Sequence, residues 1–197
     1  MSFTHPEAAV PTGLATDEFV LRPITADDAE LDHGALMETR DYLRLWEQSS
    51  WPEDDFTVEA NREDLRGLGQ RHAEHRAFTF TVLDPSGTEC RGCVYIFPTT
   101  AKFLARSTVT AVGDDDWSQV DAVVYFWARL AQLRLGMDAR LLHALRSWFA
   151  VEWRFTNAVY VTNEQFRQQV ELLESTGLQL KFELVEPGKP GTYLVFG

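Results

Sequence analysis

The segment Asp121-Ala122-Val123-Val124-Tyr125-Phe126-Trp127-Ala128-Arg129 constrains this chain more than any other. Successive strand side chains point to opposite faces, and here both faces are largely apolar. Such a strand needs cover on each side, so it predicts the centre of a sheet between two layers. The residues C-terminal to it can supply part of that cover. Met137, Leu141, Ala144, Leu145 and Trp148 recur at helical spacing and predict an amphipathic helix over about 137–153. A strand over 158–162, a helix over 165–175 closed by Gly177, and strands over 179–185 and 192–196 complete the C-terminal half.

In the N-terminal half, Phe19-Val20-Leu21-Arg22-Pro23-Ile24 is a short strand stopped by its proline. Thr25, followed by Asp27 and Asp28, reads as the start of a helix reaching Trp46, with a break expected near Gly34. A charged helix over about 58–75 comes next, and His72 and His75 lie on what reads as its solvated face. Strands over 77–83 and 91–97 flank the turn signal Asp84-Pro85-Ser86-Gly87 and predict an antiparallel hairpin. The polar stretch after it, with the run Asp114-Asp115-Asp116, reads as loop, because three consecutive carboxylates rarely converge on one ion. Residues 1–17 lack periodicity and read as a flexible arm, leaving 18–197 as one domain.

Charge excludes some functions. A net charge of −12 argues against nucleic acid and against an anionic membrane surface. Any anionic ligand must be held by local groups against that field, which mildly favours a cationic acceptor. No apolar run is long enough to cross a bilayer, and the first residues lack a basic start followed by an apolar block, so a cytoplasmic protein is expected. Cys90 and Cys93 have a spacing that suits redox chemistry or half a zinc site. With no second cysteine pair, and on a strand, they read as structural and no metal is expected.

The order strand, two helices, hairpin, strand, helix, strand, helix, strand resembles the GNAT superfamily of acyl-CoA N-acyltransferases over residues 18–197. Phe19–Pro23 looks like its first strand, Cys90–Ile96 like its third, and Phe126-Trp127-Ala128-Arg129 like the end of its fourth. Glu174-Ser175-Thr176-Gly177-Leu178 is similar to the end of its last helix, and Ser50-Trp51-Pro52 with Asp54-Asp55-Phe56-Thr57 occurs in many presumed acetyltransferases. The resemblance implies an α/β (α+β) fold: a central mixed, mostly antiparallel sheet flanked by helices on both faces. It also implies acetyl-CoA, or another acyl-CoA, as co-substrate, a small-molecule or peptide amine as acceptor, and dimers among similar proteins.

In that family two central strands splay to leave backbone groups for the pantetheine arm, and the next helix offers free amides to the pyrophosphate. The family pattern at that helix is Gln or Arg, two residues, Gly, one residue, then Gly or Ala. With Gly136 as the first Gly, Leu133 takes the Gln/Arg position and Asp138 the second small one, while Met137 falls where an apolar residue is usual. The alternative register makes Gly136 the second Gly and puts Arg134 at the first. The implied cofactor contacts are Phe126, Trp127, Ala128, Leu133, Arg134, Leu135, Gly136, Met137, Asp138 and Asn163. As a first-turn acid, Asp138 is expected to satisfy the amides a pyrophosphate would use. Its charge about 5 Å from a phosphate would cost roughly 1–3 kcal/mol at surface-like dielectric. Arg134 or Arg140 would offset part of this.

The catalytic end departs too. Leu173 stands where active members often carry a general-acid Tyr. Asp121 and Tyr95 are the candidate bases by location. Leu133, Asp138 and Leu173 together motivate the alternative of a GNAT-fold module that binds without catalysing.

Overall fold

All seven residues of β6 (Ala122–Ala128) are buried. This is the central strand that its two apolar faces predict, and the rest of the fold is arranged around it. The computed structural model describes residues 3–5 and 7–197. The other strands are β1 (Leu14–Ala15), β2 (Val20–Pro23), β3 (Phe78–Leu83), β4 (Cys90–Phe97), β5 (Thr108–Ala111), β7 (Ala158–Asn163), β8 (Leu180–Val185) and β9 (Tyr193–Phe196). The helices are α1 (Ala29–Glu47), α2 (Val58–Ala73), α3 (Leu130–Leu133), α4 (Met137–Trp148) and α5 (Arg167–Ser175). One nine-stranded sheet runs β1-β2-β3-β4-β6-β7-β9-β8-β5. Only β6 and β7 pair in parallel; every other neighbour is antiparallel.

The strand period divides the core in two. Ala122, Val124, Phe126 and Ala128 pack with Met137, Leu141, Leu142 and Leu145 of α4 and with Val170 and Leu173 of α5. Val123, Tyr125 and Trp127 pack on the other face with Leu36, Leu43 and Trp46 of α1 and Leu65 of α2. Helices therefore cover both faces, as the resemblance implies. No helix among the described residues is long and apolar enough to cross a membrane.

Four details differ from the sequence expectation. The helix α1 runs unbroken through Gly34, since one glycine costs about 1 kcal/mol and packing on β4 and β7 outweighs it. Its start is shorter, because Ala26–Asp28 is a 3-10 turn in which the Asp28 carboxylate accepts Thr25 N at 2.8 Å. The polar stretch after the hairpin contains β5, which pairs with β8; its residues are mostly exposed and so lack an apolar period. Leu14–Ala15, within the residues read as an arm, pairs with β2, and the ring of Phe3 lies 5.8 Å from that of Phe78.

The two cysteines are unpaired and buried among the described residues, and burial pushes the Cys90 thiol up to about 12 and the Cys93 thiol well above its ordinary value. A thiol held protonated is a poor nucleophile and a poor metal ligand, which fits a structural role. His72 is not on a solvated face. Its ring packs edge-on against Phe78 and Phe80 at 5.1 and 5.0 Å, and burial holds its pKa below the usual histidine value.

Candidate active site

The parallel ladder between β6 and β7 is short. It pairs Ala122 with Ala158, Val123 with Val159 and Val124 with Tyr160, and then stops. Tyr125–Ala128 and Val161–Asn163 continue without pairing to each other, which leaves an opening between two buried strands. The Phe126 carbonyl, unpaired by β7, accepts Gln169 Nε2 at 2.8 Å. Asn163 accepts Gln165 N on its side-chain oxygen at 2.7 Å, while its Nδ2 has no partner. Thr162 Oγ1 and the Oε1 atoms of Gln168 and Gln169 are also buried without partners among the described residues. Buried polar groups are nearly always hydrogen-bonded, so four orphans from β7 and α5 leave unused hydrogen-bonding capacity beside the opening.

Beyond β6 the chain makes two helix starts. The first, α3, is capped from α1: Leu130 N donates to Thr39 Oγ1 at 2.9 Å and Ala131 N to Glu38 Oε1 at 3.0 Å. Arg129 pairs with the same Glu38 at 2.6 Å. The amides of residues 132–136 return to carbonyls within the turn. The second start is α4, entered through Gly136 at φ 70°, where no side chain caps the first turn. Left-handed backbone of this kind is easy only for glycine.

The expected role of Asp138 is therefore corrected. Its buried carboxylate accepts Gln168 Nε2 rather than capping the α4 amides, because the side chain turns towards α5. Arg140 is not free to offset a phosphate: both oxygens of Glu18 hold it at 2.6 Å. Arg134 is exposed at the same turn and has no ion pair among the described residues. Leu133 packs on the core, Met137 is fully buried, and Leu135 is 67% exposed. Leu173 is buried beneath α5, so no acid stands in its place.

On the α1/α2 face a cavity of about 900 Å³ opens against Tyr125, the first β6 residue beyond the ladder. Trp46, Tyr95, Phe97 and Tyr193 form aromatic walls, and Glu47 brings a carboxylate into it from the last turn of α1. Burial pushes the Glu47 pKa up, Lys189 draws it down, and nearby Glu186 raises it further, for a net rise. The side chain remains 43% exposed, and Lys189 Nζ lies 3.6 Å from it. Tyr193 Oη donates to the Glu47 carbonyl at 3.1 Å and fixes that end of the helix.

The two bases expected from sequence fare differently. Asp121 sits at the other end of β6, where its carboxylate accepts Thr156 N, Thr156 Oγ1 and Asn157 N at 2.7–2.9 Å. Partial burial raises its pKa, but those hydrogen bonds outweigh it and hold the carboxyl low, so Asp121 closes a loop. Tyr95 does line the cavity, but burial pushes its phenol well above 10; it holds its proton and accepts Trp127 Nε1 at 3.4 Å. Glu47 escaped the sequence reading. A signal existed: a carboxylate in the last turn of a helix opposes the helix dipole, and broken local rules gather at functional sites.

No family model and no curated protein sequence matches the chain. Solved structures do. The ribosomal-protein-S5-alanine acetyltransferase of Vibrio fischeri superposes with a TM-score of 0.68 at 16% identity, covering 94% of this chain and 95% of that one. Mycobacterium smegmatis RimJ in complex with CoA-disulfide gives 0.69 at 15% identity, covering 93% and 84%. The microcin C7 self-immunity acetyltransferase MccE, in complex with acetyl-CoA and AMP, gives 0.66 at 13% identity, covering 95% and 96%. The chain has the fold of the GNAT superfamily.

Proposed function

We propose that this protein is an acyl-CoA-dependent N-acyltransferase that transfers an acetyl group to a primary amine by direct attack. The carrying observation is the unpaired opening between β6 and β7, ringed by orphaned buried polar atoms and meeting the cavity at Tyr125. Asn163, Thr162, Gln168 and Gln169 suit the amides and carbonyls of a pantetheine arm. The uncapped first turn of α4, with Arg134 beside it, suits a diphosphate. Acetyl-CoA bound there supplies the activated acyl group. Glu47 replaces Asp121 and Tyr95 as base: burial raises its pKa above the ordinary carboxylate value, which makes it a stronger proton acceptor for an acceptor ammonium. Backbone N–H groups near Phe126–Ala128 polarise the thioester carbonyl. With Leu173 in the core, the thiolate leaves without an acid from that position.

Calorimetric titration with acetyl-CoA tests this directly. Saturable binding supports the reading, and no heat at millimolar concentration would remove it. A second reading, a non-catalytic module of the same fold, is favoured by Gln169, which already occupies the Phe126 carbonyl that a pantetheine amide would use. Release of CoA thiol that depends on an added amine would exclude it.

A further inference from the structure

The cavity differs in charge from the molecule that contains it. The chain has 30 acidic and 18 basic residues, yet the cavity is lined by four cations, Arg71, Arg76, Lys102 and Arg106, and three carboxylates, Glu47, Asp64 and Glu186. Among the described residues Arg76 is the only one of those four in an ion pair, with Glu74. Arg71, Lys102 and Arg106 stand without one, in a protein where carboxylates outnumber cations and most cations find a partner. Asp64 shares the α2 wall with Arg71 and offsets part of its charge.

Apart from Asp64, the charges are also sorted by wall. Glu47 ends α1 and Glu186 follows β8, and both act on the hydroxyls of Tyr125 and Tyr193 beside the β6 opening. Arg71 comes from the last turn of α2, and Lys102 and Arg106 come from the connection between β4 and β5. A cavity of about 900 Å³ has room for a molecule that touches both walls.

We infer that the acceptor carries, besides its reactive amine, an anionic group, a carboxylate or a phosphate, that seats against Arg71, Lys102 and Arg106 while the amine faces Glu47. This rests on the acyltransferase reading and names its acceptor class. It also reverses the expectation drawn from net charge, because a ligand inside a cavity responds to the nearest groups more than to a screened global field. Arginine suits either anion through paired N–H donors.

The test uses stable products in place of acceptors. CoA-saturated protein is titrated by calorimetry with an N-acetyl dipeptide acid, its C-terminal amide, and an N-acetylated aminoalkyl phosphate. At least one anionic compound should bind about tenfold or more tightly than the amide, as expected for a charge-assisted contact, and which one does separates carboxylate from phosphate. Raising salt from about 0.05 to 0.5 M should erode that preference in the unaltered protein. The double variant Arg71→Gln, Arg106→Gln should bring the favoured anion down to the amide's affinity. Equal affinities in the unaltered protein, no binding of any of the three, or a preference that survives the double variant would overturn the inference. If CoA itself does not bind, the acyltransferase reading fails, and the anion preference is still measured on the protein alone.

Discussion

The two faces of β6 carry similar apolar residues, but the cavity of about 900 Å³ opens on the α1/α2 face. Towards α4 and α5, Val124 and Phe126 meet Met137, Leu141, Leu142 and Leu145, all fully buried. Aliphatic side chains interdigitate at the density of an organic crystal and leave no room. Towards α1 and α2, Tyr125 meets Trp46, Tyr95, Phe97 and Tyr193, whose rigid rings stand as walls, with polar tips on the tryptophan and the tyrosines. One strand thus has a face specialised for stability and a face that keeps a solvent-accessible chamber. Substitutions on the two faces should separate accordingly.

The largest effect is expected on the hollow face. Glu47→Gln should lower kcat by about 10²–10⁴ while leaving the unfolding midpoint nearly unchanged. If Glu47 is the base, as proposed, the unaltered protein should lose kcat/KM as pH falls through its raised pKa, because the deprotonated form accepts the proton, and the variant should lack that limb. On the packed face, Leu145→Ala should cost about 2–5 kcal/mol of stability, read by denaturant unfolding. A cost below about 1 kcal/mol would mean the packed face is looser than described.

Asp32 tests the core beneath α1 and α2. It is buried between α1 and α2, where its carboxylate accepts Asn61 Nδ2 at 2.9 Å, and burial raises its pKa from 3.8 to about 6. The folded state therefore carries a penalty above about pH 6 that disappears below the unfolded pKa. Asp32→Asn should stabilise the protein at about pH 8 by up to about 3 kcal/mol, with the advantage fading as pH falls towards about 4. Unfolding curves at the two pH values decide it.

Smaller still, Gly136→Ala should cost about 1 kcal/mol through its left-handed backbone, since an added Cβ would meet only Arg140 Nη1 at 3.7 Å. Thermal unfolding reads that difference. Asp121→Asn should leave turnover within about a factor of two, because a group outside the reaction supplies no general-base catalysis. A hundredfold loss would return the base to Asp121 and break the contrast between the faces.

Much of the fold was legible because its signals are local and periodic. The run Ala122–Ala128, the 137–148 stripe and the 84–87 turn each announce their element within a few residues. The edge strand β5 was not legible, since an exposed strand need not alternate, nor was α3, whose four residues carry no full helical period. The site was harder to read. Asn163 lies at the end of β7 beside the opening and Gly136 at the start of α4. The position of Asp138 two residues after Gly136 suggests a first-turn cap, but its rotamer belongs to Gln168 on another helix.

Taken alone, the amino-acid order determined a central strand buried on both faces, the helices that cover it and the glycine turn behind it. All of these stem from side-chain period and backbone preference over a few residues. Tertiary structure alone decided that the β6–β7 ladder ends at Val124, that Glu38 and Thr39 occupy the α3 amides, and that Glu47 lines the same cavity as Arg71, Lys102 and Arg106. Hydrogen-bond satisfaction and electrostatic convergence depend on which groups are neighbours in space, and those neighbours lie tens of residues apart along the chain.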